Sequence, residues 1–521
     1  MLIDRRSVYT PLYSGVYWDM QDVLAEDVDR IEVISGPGAT LWGANAVNGV
    51  INIITRSASE TQGAVLTVGG GNQQRGASVQ YGGKIGDSLA YRAYAKTFYA
   101  NDTLTAANAG AGDHWTKPQI GLRMDWTPSK ADTVTLQADG YQGPQAQLGA
   151  PDEVITRANV SGRWTHNWSN GSALQIQSYF DRTARETQQD GGSFMVNTYD
   201  FDAQHSFTLA GRHEIVWGGG VRVSDFRIDG TTSLFFRPRN RVLTLGNLFV
   251  QDTIALTSKL RLTVGIKGEN DPYSGVVLLP NLRLAFTPSN AWTLWAAASQ
   301  AVRAPTPFDR DVVERSGGVT LLRGDPDFRT EKLTAYELGV HSQPAANISF
   351  SASAYYNLYD DLKSIELTPV VFFPLTWGNN IEGYTYGLEA WSDIKVASWW
   401  RLSPGFSLIS EHLTFSPGAT GAAVGVLQVA NDPQEQATLK SSIDIGKDVS
   451  FDAALRYAGA LPNPKLPAYT ELNLRVGWNV TRHIQLAISG YNLLHAQHQE
   501  LPAPTANAIP RSVYAEARLR F

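Results

Sequence analysis

Cysteine is absent from the 521-residue sequence, which excludes disulfides and thiol chemistry. No uninterrupted apolar run approaches the ~20 residues a membrane-spanning helix needs, so a helical membrane protein is excluded as well. Charge is sparse: 18% of residues are charged and the net charge is −6, giving no electrostatic reason to expect nucleic acid as a partner. The opening residues Met1-Leu-Ile-Asp-Arg-Arg6 lack the basic stretch and apolar core of a secretory signal, so the chain is either cytoplasmic or preceded by further sequence. His-Glu-x-x-His, Gly-x-Ser-x-Gly and EF-hand patterns are missing too. The expectation is a protein that is not an enzyme, has no catalytic residues, and holds no resident metal or cofactor.

What is abundant is glycine (47 residues), tyrosine (21) and apolar residues (43%), combined with a mean hydropathy of only −0.20. That combination fits strands alternating apolar and polar residues, so that no window looks hydrophobic as a whole. From about Gly63 onward the alternation is visible. Val449, Phe451, Ala453, Leu455 and Tyr457 fall on one side of a strand, with Ser450, Asp452, Ala454 and Arg456 on the other. The last stretch repeats it, setting Val513, Ala515, Ala517, Leu519 and Phe521 against Tyr514, Glu516, Arg518 and Arg520.

Alternation alone also suits a soluble sandwich. The connections separate the two. Tight turns such as Ile85–Ser88, Trp168–Gly171, Leu256–Lys259 and Gly446–Asp448 alternate with long segments. These include Tyr99–His114, Gln142–Val154, Thr183–Met195, Arg227–Asn240, Ala301–Glu331, Leu413–Pro433, Gly459–Tyr469 and Leu493–Arg511. Outer-membrane barrels sort their connections in this way, short on the inner side and long on the outer. Counting strands between connections predicts an all-β fold, an antiparallel transmembrane β-barrel of about 22 strands, with 362–382 treated as extensions of two neighbouring strands. Trp126, Trp168, Trp292, Trp399, Trp400 and Trp478 fall at or near the short turns, as an interfacial girdle requires.

Ahead of the barrel, Arg30 to Arg56 reads as strand, glycine-rich turn, small-residue segment and second strand. Gly36, Gly38, Gly43 and Gly49 permit close backbone approach, and Ile31, Val33, Val50, Ile51, Ile53 and Ile54 are expected to be buried. No Gly-Lys-Ser/Thr ending follows, so the glycines are not a phosphate loop. This stretch, with Arg30, Glu32, Gly36, Gly38, Gly43, Asn45, Gly49 and Asn52, closely resembles the end of the plug domain of TonB-dependent receptors. Val302-Arg-Ala-Pro305, Gly324 to Lys332, Tyr336-Glu-Leu-Gly339, Gly383 to Glu389, Asn492-Leu-Leu494 and the terminal Phe521 resemble later parts of that family. The resemblance implies a plug remnant over 1–57 and a barrel over 63–521, in the outer membrane of a Gram-negative bacterium. It implies active uptake driven by the TonB–ExbB–ExbD complex, whose contact box is expected to lie, with the first half of the plug, in sequence not present here. It further implies contact with lipid and lipopolysaccharide, assembly through the C-terminal strand by the barrel assembly machinery, and a monomer.

For the ligand, two segments stand out. Arg6 to Trp18 is turn-rich and aromatic, at the place where family plugs present an apex. Tyr9, Tyr13, Tyr17 and Trp18 can stack on a chelate there or pack the plug against the wall. Leu234 to Arg241 sets Arg237, Arg239 and Arg241 beside two phenylalanines, suiting an anionic ligand or a basic rim in contact with lipopolysaccharide. His495, His498 and Glu500 have metal-like spacing in an outer loop, where histidines usually bind nothing. No histidine occurs between residues 303 and 331, where haem receptors of the family are expected to carry one. The expected function is uptake of a ferric-siderophore complex, with iron present only inside the cargo. The alternatives are cobalamin or another large nutrient, and a passive pore that is not energised.

Overall fold

The computed structural model describes every residue except 106–107, 148, 190, 369–370, 422–430, 464 and 501–506. One sheet of 26 strands dominates it. Four of these, Trp115–Thr116, Leu234–Phe236, Val312–Ser316 and Val319–Arg323, are short pieces on the outer rim, leaving 22 that form the wall. The wall is antiparallel throughout and closes on itself where Ser512–Arg520 pairs with Gly63–Gly71, Leu519 opposite Leu66. Closure leaves no edge with unpaired backbone groups, which hydrocarbon would not tolerate.

The side chains are distributed inside-out. Leu248 (73% exposed), Leu338, Ile120 and Leu278 belong to an exposed apolar band, whereas Arg157, Glu471, Lys267, Gln119 and Asn159 are buried on the luminal face. An apolar exterior over a polar interior is what lipid outside and a filled lumen inside require. Five of the six girdle tryptophans are between 42% and 52% exposed at strand ends, and the sixth, Trp400, stacks on Trp399 with ring centroids 6.1 Å apart.

Several segments expected as long loops continue as sheet. Asp132–Gln147 and Ala150–Asn167 stay paired from Gln142↔Thr156 to Gln145↔Glu153, and Ala173–Thr187 pairs with Ser193–Leu209 as far as Glu186↔Ser193. These stretches are rich in Gln, Gly and Thr and stand above the apolar band. They therefore carry no hydropathy alternation, and inter-strand hydrogen bonds hold them. Likewise Ile348–Thr368 and Phe372–Ala397 run on together through Ser364↔Gly378 to Thr368↔Phe372, with no additional hairpin in the wall. Residues 106–107, 148, 190, 422–430, 464 and 501–506, within the expected long loops, and 369–370, within the 362–382 stretch, lie outside the described residues.

Inside the barrel sits a four-stranded sheet of β1 (Leu2–Ile3), β2 (Arg6–Ser7), β3 (Val28–Ser35) and β4 (Gly49–Thr55), in the order β2-β1-β4-β3, with the one-turn helix α1 (Ala39–Trp42) between β3 and β4. Its core comprises Leu2, Ala46 and Val50 on one side and Ile3, Val8 and Val16 on the other. The expectation that Ile31, Val33 and Ile51 are buried is not met: they are 57%, 67% and 36% exposed to the lumen. The register explains this. Val33 lies opposite Ile51 on the face away from α1, so alternation puts the whole set on the lumen side.

Polar contacts fix the luminal domain to the wall. Asp27 meets Arg92 at 3.0 Å, Asp22 meets Lys96 at 2.7 Å, and Arg6 pairs with Asp181. Gly36 and Gly43 allow close approach: both have positive φ, and a Cβ on Gly43 would come within 2.6 Å of Glu269 Oε2.

Candidate functional site

The chain from Thr10 to Met20 builds the outward end of the luminal domain. A bridge between Thr10 and Gly15 closes a turn, and Gly15 N–H donates to Tyr13 O at 2.8 Å. Leu12 anchors the turn against Val196, Phe226, Ile228 and Leu243 of the wall. Beyond it Met20, fully buried with Tyr141 and Ile155, fixes the following 3-10 turn (Trp18–Met20). Anchored at both ends, the segment presents Tyr13, Ser14 and Tyr17 to an open chamber of about 910 Å³.

Wall and rim supply the other sides of the chamber. Tyr17 lies edge-on to Tyr13 and stacked on Phe194, both at 4.9 Å, with the Arg185 guanidinium 5.7 Å from its ring centroid. Across the chamber, Phe308 sits between Phe236 (6.3 Å) and Trp377 (6.1 Å), and Lys363 Nζ lies 3.7 Å from the Trp377 ring centroid. Phe308 belongs to the helical turn α2 (Pro307–Arg310), whose start is secured by a capping box between Thr306 and Asp309. The Phe308 amide donates to Leu12 O at 3.2 Å, tying this rim segment to the luminal turn.

Arg303 is the hinge of the polar part. Its guanidinium donates to Ser14 Oγ at 2.6 Å and to Asp309 Oδ2 at 2.8 Å, and pairs with Glu331. Lys363 Nζ reaches Asp309 Oδ1 at 2.7 Å. Burial pushes the Asp309 carboxyl up, but Arg303 and Lys363 outweigh it and hold the group below the ordinary carboxylate range. Burial also raises the phenols: Tyr9 is pushed up to about 12, and Tyr13 and Tyr17 are raised too, so all three remain neutral. The arrangement offers stacking faces, hydroxyl groups and paired charges, which is equipment for holding a ligand.

Of the aromatic candidates, Tyr13 and Tyr17 line the chamber together. Tyr9 instead faces a second cavity of about 770 Å³, which it shares with Ser14, Arg303 and Glu331. Trp18 is 60% exposed and does not line the chamber. The three rim arginines diverge. Arg237 lies 5.2 Å from the Phe235 ring, Arg239 pairs with Asp229, and Arg241 meets Asp311 at 3.3 Å, so none lines the chamber. Their neighbours Leu234 and Phe236 do.

In the glycine-rich segment, Arg30 binds Glu32 at 2.9 Å, Asn52 donates to Glu32 at 3.3 Å, and Gly38 and Gly43 flank α1. Asn45, at φ 72°, donates its amide to Val302 O at 2.8 Å and accepts from Ala304 N at 3.1 Å, while Gly49 opens β4. These residues shape the luminal domain and its seat on the wall. His495 and His498 contact Glu471 at 2.7 and 3.3 Å, and His498 contacts Glu500 at 3.0 Å, so this trio ties down the last outer loop.

Sequence reasoning did not find Arg185, Phe194, Phe308, Asp309, Glu331 or Lys363. Asp309 and Phe308 carried a signal, since Thr306-Pro-Phe-Asp309 is a capping-box pattern following directly on Val302 to Pro305. The others sit on different strands, and no spacing connects them.

The family model described as "TonB dependent receptor-like, beta-barrel" matches residues 76–493. The chain is 24% identical over 522 residues to the iron-regulated outer membrane virulence protein of Vibrio cholerae, covering 89% of this chain and 76% of that one. It is 21% identical over 456 residues to the ferric enterobactin receptor PirA of Pseudomonas aeruginosa, covering 71% and 61%. The crystal structure of the siderophore receptor PirA from Acinetobacter baumannii superposes with a TM-score of 0.82 at 16% identity, over 100% of this chain and 90% of that one. Family and fold are those of transport receptors in the outer membrane of Gram-negative bacteria. A closed 22-strand wall, a luminal sheet seated on it and a family match covering most of the wall together establish that this chain belongs to the TonB-dependent receptors.

Proposed function

We propose that this receptor takes up a ferric siderophore, bound first in the chamber between Tyr13 and Tyr17 of the luminal domain and Phe194, Phe308 and Arg303 of the wall and rim. One observation carries the reading: beside the chamber the luminal turn is hydrogen-bonded to the rim directly, Arg303 donating to Ser14 Oγ and Phe308 N–H to Leu12 O. A ligand in the chamber touches both sides of that junction and so has the means to report its arrival to the luminal domain. The names of the relatives support iron as cargo, and the TonB–ExbB–ExbD complex is the energy source the family uses.

Radioiron uptake by iron-starved cells expressing the chain, offered a panel of ferric siderophores in tonB-positive and tonB-negative backgrounds, tests this. Uptake that requires both a siderophore and TonB is expected. Uptake of cyanocobalamin alone would replace siderophores with the corrinoid reading, and TonB-independent flux would favour a passive pore.

A further inference from the structure

Among the described residues, six charged side chains line the chamber: Arg185, Arg303 and Lys363 against Asp229, Asp309 and Glu331. All three cations already have carboxylate partners. Arg303 is shared between Asp309 and Glu331, and Lys363 is bound to Asp309. Arg185 lies between Asp19 and Glu153, the latter at 2.5 Å. On the rim, Asp229 takes Arg227 at 2.7 Å and also Arg239. Among the described residues the lining therefore sums to no net charge, and two of its carboxylates have little water to retreat into: the side chains of Asp309 and Glu331 are 1% and 12% exposed.

A ferric chelate with three catecholates is a trianion, whereas one with three hydroxamates is neutral. Binding a trianion here would require Arg303 and Lys363 to release buried carboxylates, or would leave those carboxylates facing an anion in a poorly solvated space; both are costly. A neutral chelate asks for neither, and finds aromatic faces in Tyr13, Tyr17 and Phe308 and hydroxyls in Ser14 and Thr306. Resting on the uptake reading above, we infer that this receptor selects ferric chelates of low net charge, of the neutral tris-hydroxamate kind, and discriminates against trianionic tris-catecholates through Asp309 and Glu331.

Calorimetric titration of the purified full chain in detergent with ferrichrome, a neutral ferric tris-hydroxamate, and with ferric enterobactin, a trianion, tests the inference. Ferrichrome is expected to bind at least ~10-fold more tightly, and Glu331→Gln to shift the ratio of the two affinities ~10-fold toward the trianion by removing one competing carboxylate. Asp309→Asn provides a second removal should the first variant fold poorly, and its shift has the same direction. Equal or tighter binding of ferric enterobactin by the unaltered chain would overturn charge selection while leaving siderophore uptake standing, as would an unchanged ratio in both variants. Failure of both chelates to bind would overturn the uptake reading together with the inference.

Discussion

At the scale of single residues, the chamber separates side chains that the sequence presents alike. Tyr17 is packed between Tyr13 and Phe194 and faces the ligand space, whereas Trp18, next in the chain, is 60% exposed and points away from the chamber's lining. Tyr17→Ala is therefore expected to weaken binding of the transported chelate by about 10-fold, in line with the ~0.5–1.5 kcal/mol of an aromatic pair plus lost burial, and Trp18→Ala to leave it unchanged, both by calorimetry. Aromatic density was enough to locate the segment. Choosing among its four rings required the local Thr10–Gly15 bridge and the burial of Met20 against Tyr141 and Ile155, on strands more than a hundred residues away. Asp309 sets the pH dependence. Its folded pKa is depressed, so its ion pairs are fully formed above the unfolded value of about 4 and are lost only as pH falls through the lower folded value. Binding measured from pH 5 to pH 8 should consequently be flat with respect to this group, and a decline should begin only in more acidic buffer.

At the scale of elements, the luminal domain is held chiefly by polar ties, and these differ in consequence. Asp27 and Arg92 are each only 3–4% exposed in their side chains. Asp27→Ala would leave a buried guanidinium without its partner, a loss of roughly 3–5 kcal/mol. Hydrogen exchange of the β4 amides should accelerate in that variant while exchange in the wall strands stays unchanged. The same elements mark the limit of reading by periodicity. β3 and β4 were recognisable as strands, but a strand pattern does not reveal which face meets a core, and Ile31, Val33 and Ile51 came out facing the lumen. The rim sheets were missed for the opposite reason. Above the hydrocarbon both faces meet water, the alternation vanishes, and only pairing such as Gln145↔Glu153 keeps the chain extended.

For the whole molecule, the barrel was legible because lipid imposes its rule on every strand in turn. Neighbouring residues on one strand test that rule: Val250 is 46% exposed on the outer face, and Gln251 lines the luminal cavity. Val250→Arg should destabilise the folded barrel by ~2–4 kcal/mol near mid-membrane, and Gln251→Arg by much less, as read from unfolding in denaturant. The chamber was less legible because it assembles residues from 12 to 363 that share no local pattern. Wall height also varies around the circumference: Phe372–Ala397 has 26 residues and Ile348–Thr368 has 21, while Ile484–Tyr491 has 8 and Ser512–Arg520 has 9. At about 3.3 Å per residue the longest strand spans on the order of 85 Å along its axis, against a ~25 Å apolar band. The excess is greatest at the hairpin of Ile348–Thr368 and Phe372–Ala397. A scanning tip drawn across a cell surface carrying this receptor would record a ridge of stiff sheet instead of a ring, and the bearing of that ridge would give the rotation of each molecule in the plane of the membrane.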